Sequence, residues 1–130
     1  MTRGLCLITG ASRGIGAATA VRAAEAGWDV AVNYVSNHDA ANAVVDAVTN
    51  RDRRAVAIQG DVSRESDVIR LFEQAEKQLG PIRALVNNPG TTGRITRVED
   101  MTTAAMTKVL DLNVLATMMR SREAVRRTSP

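Results

Sequence analysis

The strongest constraint on this chain is the segment Thr9-Gly10-Ala11-Ser12-Arg13-Gly14-Ile15-Gly16. It stands directly after the apolar run Leu5 to Ile8 and directly before an alanine-rich helical pattern. A strand that turns this sharply into a helix needs glycine, which takes positive φ and lets the backbone come within contact distance of a ligand. The helix that follows begins with free N–H groups and the positive end of its dipole, an arrangement that favours an anion by about 0.3–1 kcal/mol before any side chain helps. The turn therefore predicts a site for the phosphates of a nucleotide.

The rest of the chain continues the same rhythm. Apolar segments and helical patterns alternate as Leu5–Thr9 and Ile15–Ala26, Val30–Tyr34 and Ala40–Arg51, Ala55–Gln59 and Arg64–Leu79, then Ala84–Asn87 and Thr102–Arg127. The strand segments are short, contain Val and Ile, and lack strict polar alternation, as expected of a parallel sheet covered on both faces. Gly27 is placed to close the first helix, Ser63 to cap the third, and Gly80-Pro81 to stop it. Right-handed crossovers then give an α/β, Rossmann-type doubly wound sheet of about four strands in the order 3-2-1-4. The crevice between the first and fourth strands is the topological switch point where ligands bind.

Composition narrows the function classes. At 130 residues, 45% of them hydrophobic, the chain is long enough for one domain and too short for two. A surplus of only three positive charges and an aromatic content of 2% argue against nucleic-acid binding, because bases have almost nothing to stack on. Cys6 is the sole cysteine, so an intrachain disulfide is excluded and no metal site is expected; it reads as a small buried hydrophobe. The N-terminal apolar run is too short for a secretory signal and no stretch approaches the roughly 20 residues of a membrane span. No membrane partner is expected, and the cytoplasm is the default compartment.

Two further motifs fall at the carboxyl ends of strands: Asp61-Val62 after the third, and Asn87-Asn88-Pro89-Gly90 after the fourth. With the glycine turn and Asn113 in the last helix, the set resembles the short-chain dehydrogenase/reductase family, whose glycine motif has the form TGxxxGxG and whose fourth strand ends in NNAG. The resemblance runs the length of the chain. Val32-Asn33-Tyr34 and Arg122-Glu123-Ala124-Val125 look closest to the branch of 3-oxoacyl reductases and sugar dehydrogenases.

The resemblance implies roles residue by residue. Gly10, Gly14 and Gly16 would shape the pyrophosphate site, with Ser12 of the same loop also against the cofactor, and Ile15 would pack near its nicotinamide half. Asp61 and Val62 would hold adenine, the carboxylate accepting from the exocyclic amine and a backbone N–H donating to a ring nitrogen. Asn87 and Gly90 would line the ribose and nicotinamide side, whereas Asn88 has the simpler alternative of bonding to neighbouring backbone. Asn113 is the one catalytic residue implied, helping to hold a water that links the family's lysine to solvent; a purely structural bond to backbone is its alternative. The last helix is the family's usual subunit contact, so a homo-oligomer through it is expected.

Cofactor choice has a physical argument. In NAD sites of this type an acidic residue at the end of the second strand bonds the ribose 2′-hydroxyl and would repel a 2′-phosphate. Tyr34 stands there instead, and Arg13 lies in the glycine turn. A charge-assisted contact of about 1.5–3 kcal/mol, or roughly 10- to 100-fold in affinity, then favours NADP(H) over NAD(H). His38 reads as a solvated loop residue near the same edge. Pro89 departs from the family's alanine and removes one backbone N–H, so weaker nicotinamide binding is expected.

The family's reaction also needs a tyrosine with a lysine four residues later, and a serine. The only tyrosine here is Tyr34, followed four positions on by His38, and the lysines are Lys77 and Lys108. In the family the pair follows a fifth strand, and this chain reaches Pro130 before it. The expectation is thus the N-terminal half of an NADPH-dependent carbonyl or 3-oxoacyl reductase, acting in its longer form on a small carbonyl or alcohol substrate. Residues 1–130 alone are then expected to lack dehydrogenase activity. The alternatives are a non-catalytic NADP-binding module and a subunit that folds only against a partner supplying the missing strands. Ala17-Ala18 after Gly16 argues against kinase-type phosphate-loop chemistry, which needs lysine and a hydroxyl residue there.

Overall fold

The computed structural model describes residues 2–88 and 95–128. Its elements, in chain order, are β1 (Leu5–Ile8), α1 (Gly14–Glu25), β2 (Asp29–Tyr34), α2 (His38–Thr49), β3 (Ala55–Gln59), α3 (Glu65–Leu79) and β4 (Ile82–Val86). A short 3₁₀ turn (Val98–Asp100) follows, then α4 (Thr103–Leu110), a π-helical turn (Asp111–Leu115) and α5 (Ala116–Thr128). The strands form one parallel sheet in the order β3-β2-β1-β4, the order that the alternation of patterns predicts.

Both faces are covered, which is why the strands read as continuous apolar runs. Every residue of β1 is buried, and period-two alternation sends successive side chains to opposite layers. Cys6 and Ile8 join Val30, Val32 and Tyr34 beneath Ala20 and Ala24 of α1 and Val44 and Val48 of α2. Leu5 and Leu7 join Ala31, Ile58 and Ile82 against Val68, Leu71, Phe72 and Ala75 of α3, with Ala124 of α5 packed alongside. Burial pushes the Cys6 thiol up to about 11, so this cysteine is an inert core residue.

Several local expectations are corrected. Ser63 does not cap α3: the N-cap is Arg64, without a side-chain cap bond, and the Ser63 hydroxyl donates to Asp61 Oδ1 at 2.5 Å. His38 is the first residue of α2 rather than part of a loop, because Asn37 accepts from Ala40 N–H and starts the helix two residues early. The fourth strand begins at Ile82 and ends at Val86, which releases Asn87 from the sheet. The long C-terminal pattern is interrupted by the π turn, whose wider spacing holds Asn113. Gly27 and Gly80 close their helices as expected, both at positive φ.

Along α5, Arg127 is paired with both Glu76 of α3 and Glu123 of its own helix at 3.1 and 3.0 Å, and lies over the Phe72 ring. Arg122 reaches Glu65 across the same seam at 3.1 Å. These contacts seat α5 beside β4, so that its inner face overlooks the switch point between β1 and β4.

Candidate functional site

A cleft of about 580 Å³ opens at the carboxyl ends of the strands. Its floor is the turn from β1 into α1, its sides are the residues after β2 and β3, and its far wall is Asn88 with Leu112 and Arg120. Gly10, Ser12, Arg13, Gly14, Ile15, Tyr34, Asp61 and Val62 all line it. The structure thus brings together residues drawn from three separate βα connections.

The glycines divide the work of the turn. Gly10 and Gly14 both take φ of 58°, a conformation that L side chains rarely adopt. At Gly14 an added Cβ would meet nothing within 4 Å, so the space above it is open to a ligand. Gly16 is a packing glycine: a Cβ there would fall on the Gly10 carbonyl oxygen and lie 2.7 Å from Asn88 Nδ2.

Two asparagines lock this turn. Asn33, buried at the end of β2, accepts from Gly10 N–H at 3.1 Å through Oδ1, while its own carbonyl accepts from Ala11 N–H at 2.8 Å. Its amide nitrogen donates to the carbonyls of Ile58 and Gly60 at 3.3 and 3.2 Å. Asn88 donates through Nδ2 to the Gly10 carbonyl at 3.0 Å, and its backbone N–H donates to Thr9 Oγ1 at 3.0 Å. Nothing in the local sequence marks these roles, because their partners lie far away along the chain.

Arg13 is the N-cap of α1 and supplies no cap bond, so the first-turn N–H groups of this helix face the cleft without intrahelical partners. Its guanidinium is exposed and makes no ion pair among the described residues. At the β2 end, Tyr34 donates to or accepts from His38 Nδ1 at 2.8 Å, and Val35, Ser36 and Asn37 complete the rim. Among the described residues, none of those that line the cleft at this end is a carboxylate. Ile15 is 79% exposed at the mouth, an apolar side chain that a ligand would cover.

Among the described residues, Asp61 is the one acidic residue lining the cleft. The hydrogen bond from the Ser63 hydroxyl, helped by Ser63 N–H and by Arg64 nearby, outweighs desolvation and holds its carboxyl below the usual carboxylate range. It is therefore ionised near neutral pH and retains acceptor capacity for an amine.

Other expected site residues are placed differently. Asn87 is not among the cleft-lining residues, and its side chain is engaged by α5: Oδ1 accepts from Arg120 Nε at 2.8 Å and Nδ2 donates to Ser121 Oγ at 3.0 Å. Asn113 sits half-buried on the π turn with Nδ2 donating to the Val109 carbonyl at 3.0 Å, and does not line the cleft. Gly90 and Pro89 lie outside the described residues. Arg120, which the sequence reading does not single out, is fully buried on the far wall, where desolvation lowers its pKa from the ordinary arginine value. No described helix is long and apolar enough to cross a membrane.

The fit to a dinucleotide rests on the turn itself: an open space above Gly14, an uncapped helix start aimed at it, and Asp61 across the cleft. The family model for short chain dehydrogenases matches residues 5–128. An uncharacterized oxidoreductase, YgfF, of Escherichia coli is 40% identical over 123 residues, which cover 95% of this chain and 50% of that protein. Elsinochrome reductase 1 of Elsinoe fawcettii is 36% identical over 96% of this chain and 46% of its own length. Among solved structures, a dehydrogenase/reductase from Sinorhizobium meliloti superposes with a TM-score of 0.92 at 33% identity, covering 98% of this chain and 50% of that one. The chain thus spans about half the length of the curated relatives it matches.

Proposed function

The chain belongs to the short chain dehydrogenase family, and on that premise we propose that it is the cofactor-binding part of an NADPH-dependent carbonyl reductase acting in the cytoplasm on a small carbonyl or alcohol substrate. The observation that carries the cofactor reading is the pairing of an unengaged Arg13 with a β2 end that bears Tyr34, Ser36 and Asn37 and no carboxylate. A 2′-phosphate seated there gains the guanidinium and meets no carboxylate among the rim residues Tyr34 to Asn37. Support also comes from a relative named as a 3-oxoacyl-[acyl-carrier-protein] reductase in Staphylococcus epidermidis, which is 42% identical over 66% of this chain and 35% of its own length.

In this reading the N–H groups at the start of α1 and the Gly14 backbone hold the pyrophosphate, Arg13 holds the 2′-phosphate, and ionised Asp61 accepts from the adenine amine. When bound, the nicotinamide supplies the hydride that reduces a carbonyl. Ile15 shields its approach from water, and Asn88 keeps the turn in shape. No tyrosine in these 130 residues has a lysine four positions later, so binding without turnover is the behaviour expected of this chain by itself. The apolar side chains Leu110, Val114 and Met118, each more than half exposed on α4, the π turn and α5, support self-association through that helical surface.

Titration calorimetry of the chain and of Arg13→Ala tests the cofactor reading. Arg13→Ala should lose about 10- to 100-fold in NADPH affinity and little in NADH affinity. Equal losses for the two nucleotides would remove it.

A further inference from the structure

Arg120 is buried completely in the far wall of the cleft, and its three kinds of nitrogen are not equally served. Nε donates to Asn87 Oδ1 at 2.8 Å and Nη2 donates to Thr117 Oγ1 at 3.1 Å. Among the described residues Nη1 is the one buried side-chain nitrogen or oxygen without a hydrogen-bond partner. Both acceptors that are present are neutral, and the one acid of α5, Glu123, is committed to Arg126 and Arg127. The guanidinium therefore carries an uncompensated buried charge at the edge of the cleft, an arrangement that costs stability unless something else supplies an acceptor.

The two bonds that are made also fix the plane of the fork, so the directions of the N–H groups on the remaining nitrogen, Nη1, are set in advance. The two N–H groups of Nη1 lie in that fixed plane and suit sp² oxygen, and a full positive charge favours an oxygen that bears negative charge. Among the described residues, Leu112 and Asn88 line the cleft together with Arg120; the first is apolar, and Nδ2 of the second donates to the Gly10 carbonyl.

We propose that Arg120 is a specificity-determining residue that donates from Nη1 to a carboxylate or carboxamide oxygen of a molecule seated at the Leu112 end of the cleft. The inference rests on the reading of the cleft as an NADPH site, which leaves two sources for that oxygen: the carboxamide of the nicotinamide, or a carboxylate on the carbonyl substrate.

The test uses the whole chain with Arg120→Met, which keeps the length and apolar stem, and Arg120→Lys, which keeps the charge and loses the fork. Calorimetry measures NADPH and 2′-phospho-ADP-ribose, which lacks nicotinamide; saturation-transfer NMR measures acetate without nucleotide. A loss of about 10-fold or more for NADPH in Arg120→Met, with 2′-phospho-ADP-ribose unchanged, supports the proposal with the cofactor as the source. Saturable acetate binding that is lost in Arg120→Met, with NADPH unchanged, supports it with a substrate carboxylate as the source. Unchanged affinity for all three ligands in Arg120→Met overturns it. Failure of the wild-type chain to bind NADPH would sink the cofactor reading and leave the acetate result to decide Arg120. Should both variants fail to fold, the ¹⁵N resonances of the Arg120 guanidinium in the wild-type chain decide: they should shift on addition of NADPH or acetate, and constancy with both overturns the proposal.

Discussion

Asn33 and Asn88 hold the two peptide groups that flank the Gly10 Cα, the first accepting from the Gly10 N–H at 3.1 Å and the second donating to the Gly10 carbonyl at 3.0 Å. One comes from β2 and the other from the loop after β4, so the turn between β1 and α1 is tied to both strands that flank β1. The turn is thus shaped before any ligand arrives, and the ordering cost that a floppy phosphate loop would bring to binding is avoided.

Asn33→Ala should accordingly cost more than Asn88→Ala. Removing the buried Asn33 amide strands Gly10 N–H and the Ile58 and Gly60 carbonyls, a loss of about 1–3 kcal/mol. Asn88→Ala frees one carbonyl at a half-buried site and should cost about 0.5–1.5 kcal/mol. Urea unfolding of both variants measures this order, and nucleotide affinity should weaken in both.

Gly16→Ala separates packing from backbone conformation, since Gly16 does not adopt positive φ. The new methyl would collide with the Gly10 carbonyl and Asn88 Nδ2. Overpacking of this kind costs about 1–3 kcal/mol. Thermal melting should show that loss, together with loss of nucleotide binding, because the atoms displaced are those of the phosphate turn.

How much of this was legible in the sequence depends on how far apart the partners lie. The βα rhythm, the strand order and the glycine turn follow from local pattern, and Asp61 stands out in the sequence because it comes just after the third strand, a position that the fold brings to the cleft. Asn33 escaped because an asparagine inside an apolar strand segment carries no local sign of what it will meet, and its partners in β3 and the loop after it are 25 and 27 residues away. Asn87 and Asn88 exchange their expected places: β4 ends at Val86, and beyond it the side chain of the first bonds to Arg120 and Ser121 of α5 while that of the second bonds to Gly10 in the glycine turn. Arg120 escaped for a different reason. An arginine among Met119, Ser121 and Arg122 reads as part of a solvated face, and the π turn that rotates the helix before it has no sequence period of its own.

Asp29 gives the fold an acid-sensitive contact far from the cleft. Burial works against its charged form, yet bonds from the Arg54 backbone N–H at 2.9 Å and from the Arg54 guanidinium outweigh it, and its carboxyl is held below the usual range. A carboxyl that titrates lower in the folded than in the unfolded chain stabilises the fold above the unfolded value of about 3.9. That contribution disappears as pH falls through the folded value. Asp29→Asn should therefore lose about 1–3 kcal/mol at neutral pH and show a shallower decline in stability below about pH 4, read by urea titrations across that range.

Met118→Glu addresses the exposed helical surface. Met118 is 63% exposed, so its substitution should leave the melting temperature of the isolated chain nearly unchanged. Light scattering should register the change instead: a dimer or larger assembly of the wild-type chain is expected to shift towards monomer once a charge is placed among Leu110 and Val114. An unaltered mass distribution would locate self-association elsewhere.

The most direct measurement is calorimetric titration of the unmodified chain with NADPH and, in parallel, NADH. Saturable binding of one NADPH per chain, about 10- to 100-fold tighter than NADH, is the expected result. No saturable binding of either nucleotide would contradict the reading of the cleft as a dinucleotide site, and tighter binding of NADH would contradict the role given to Arg13.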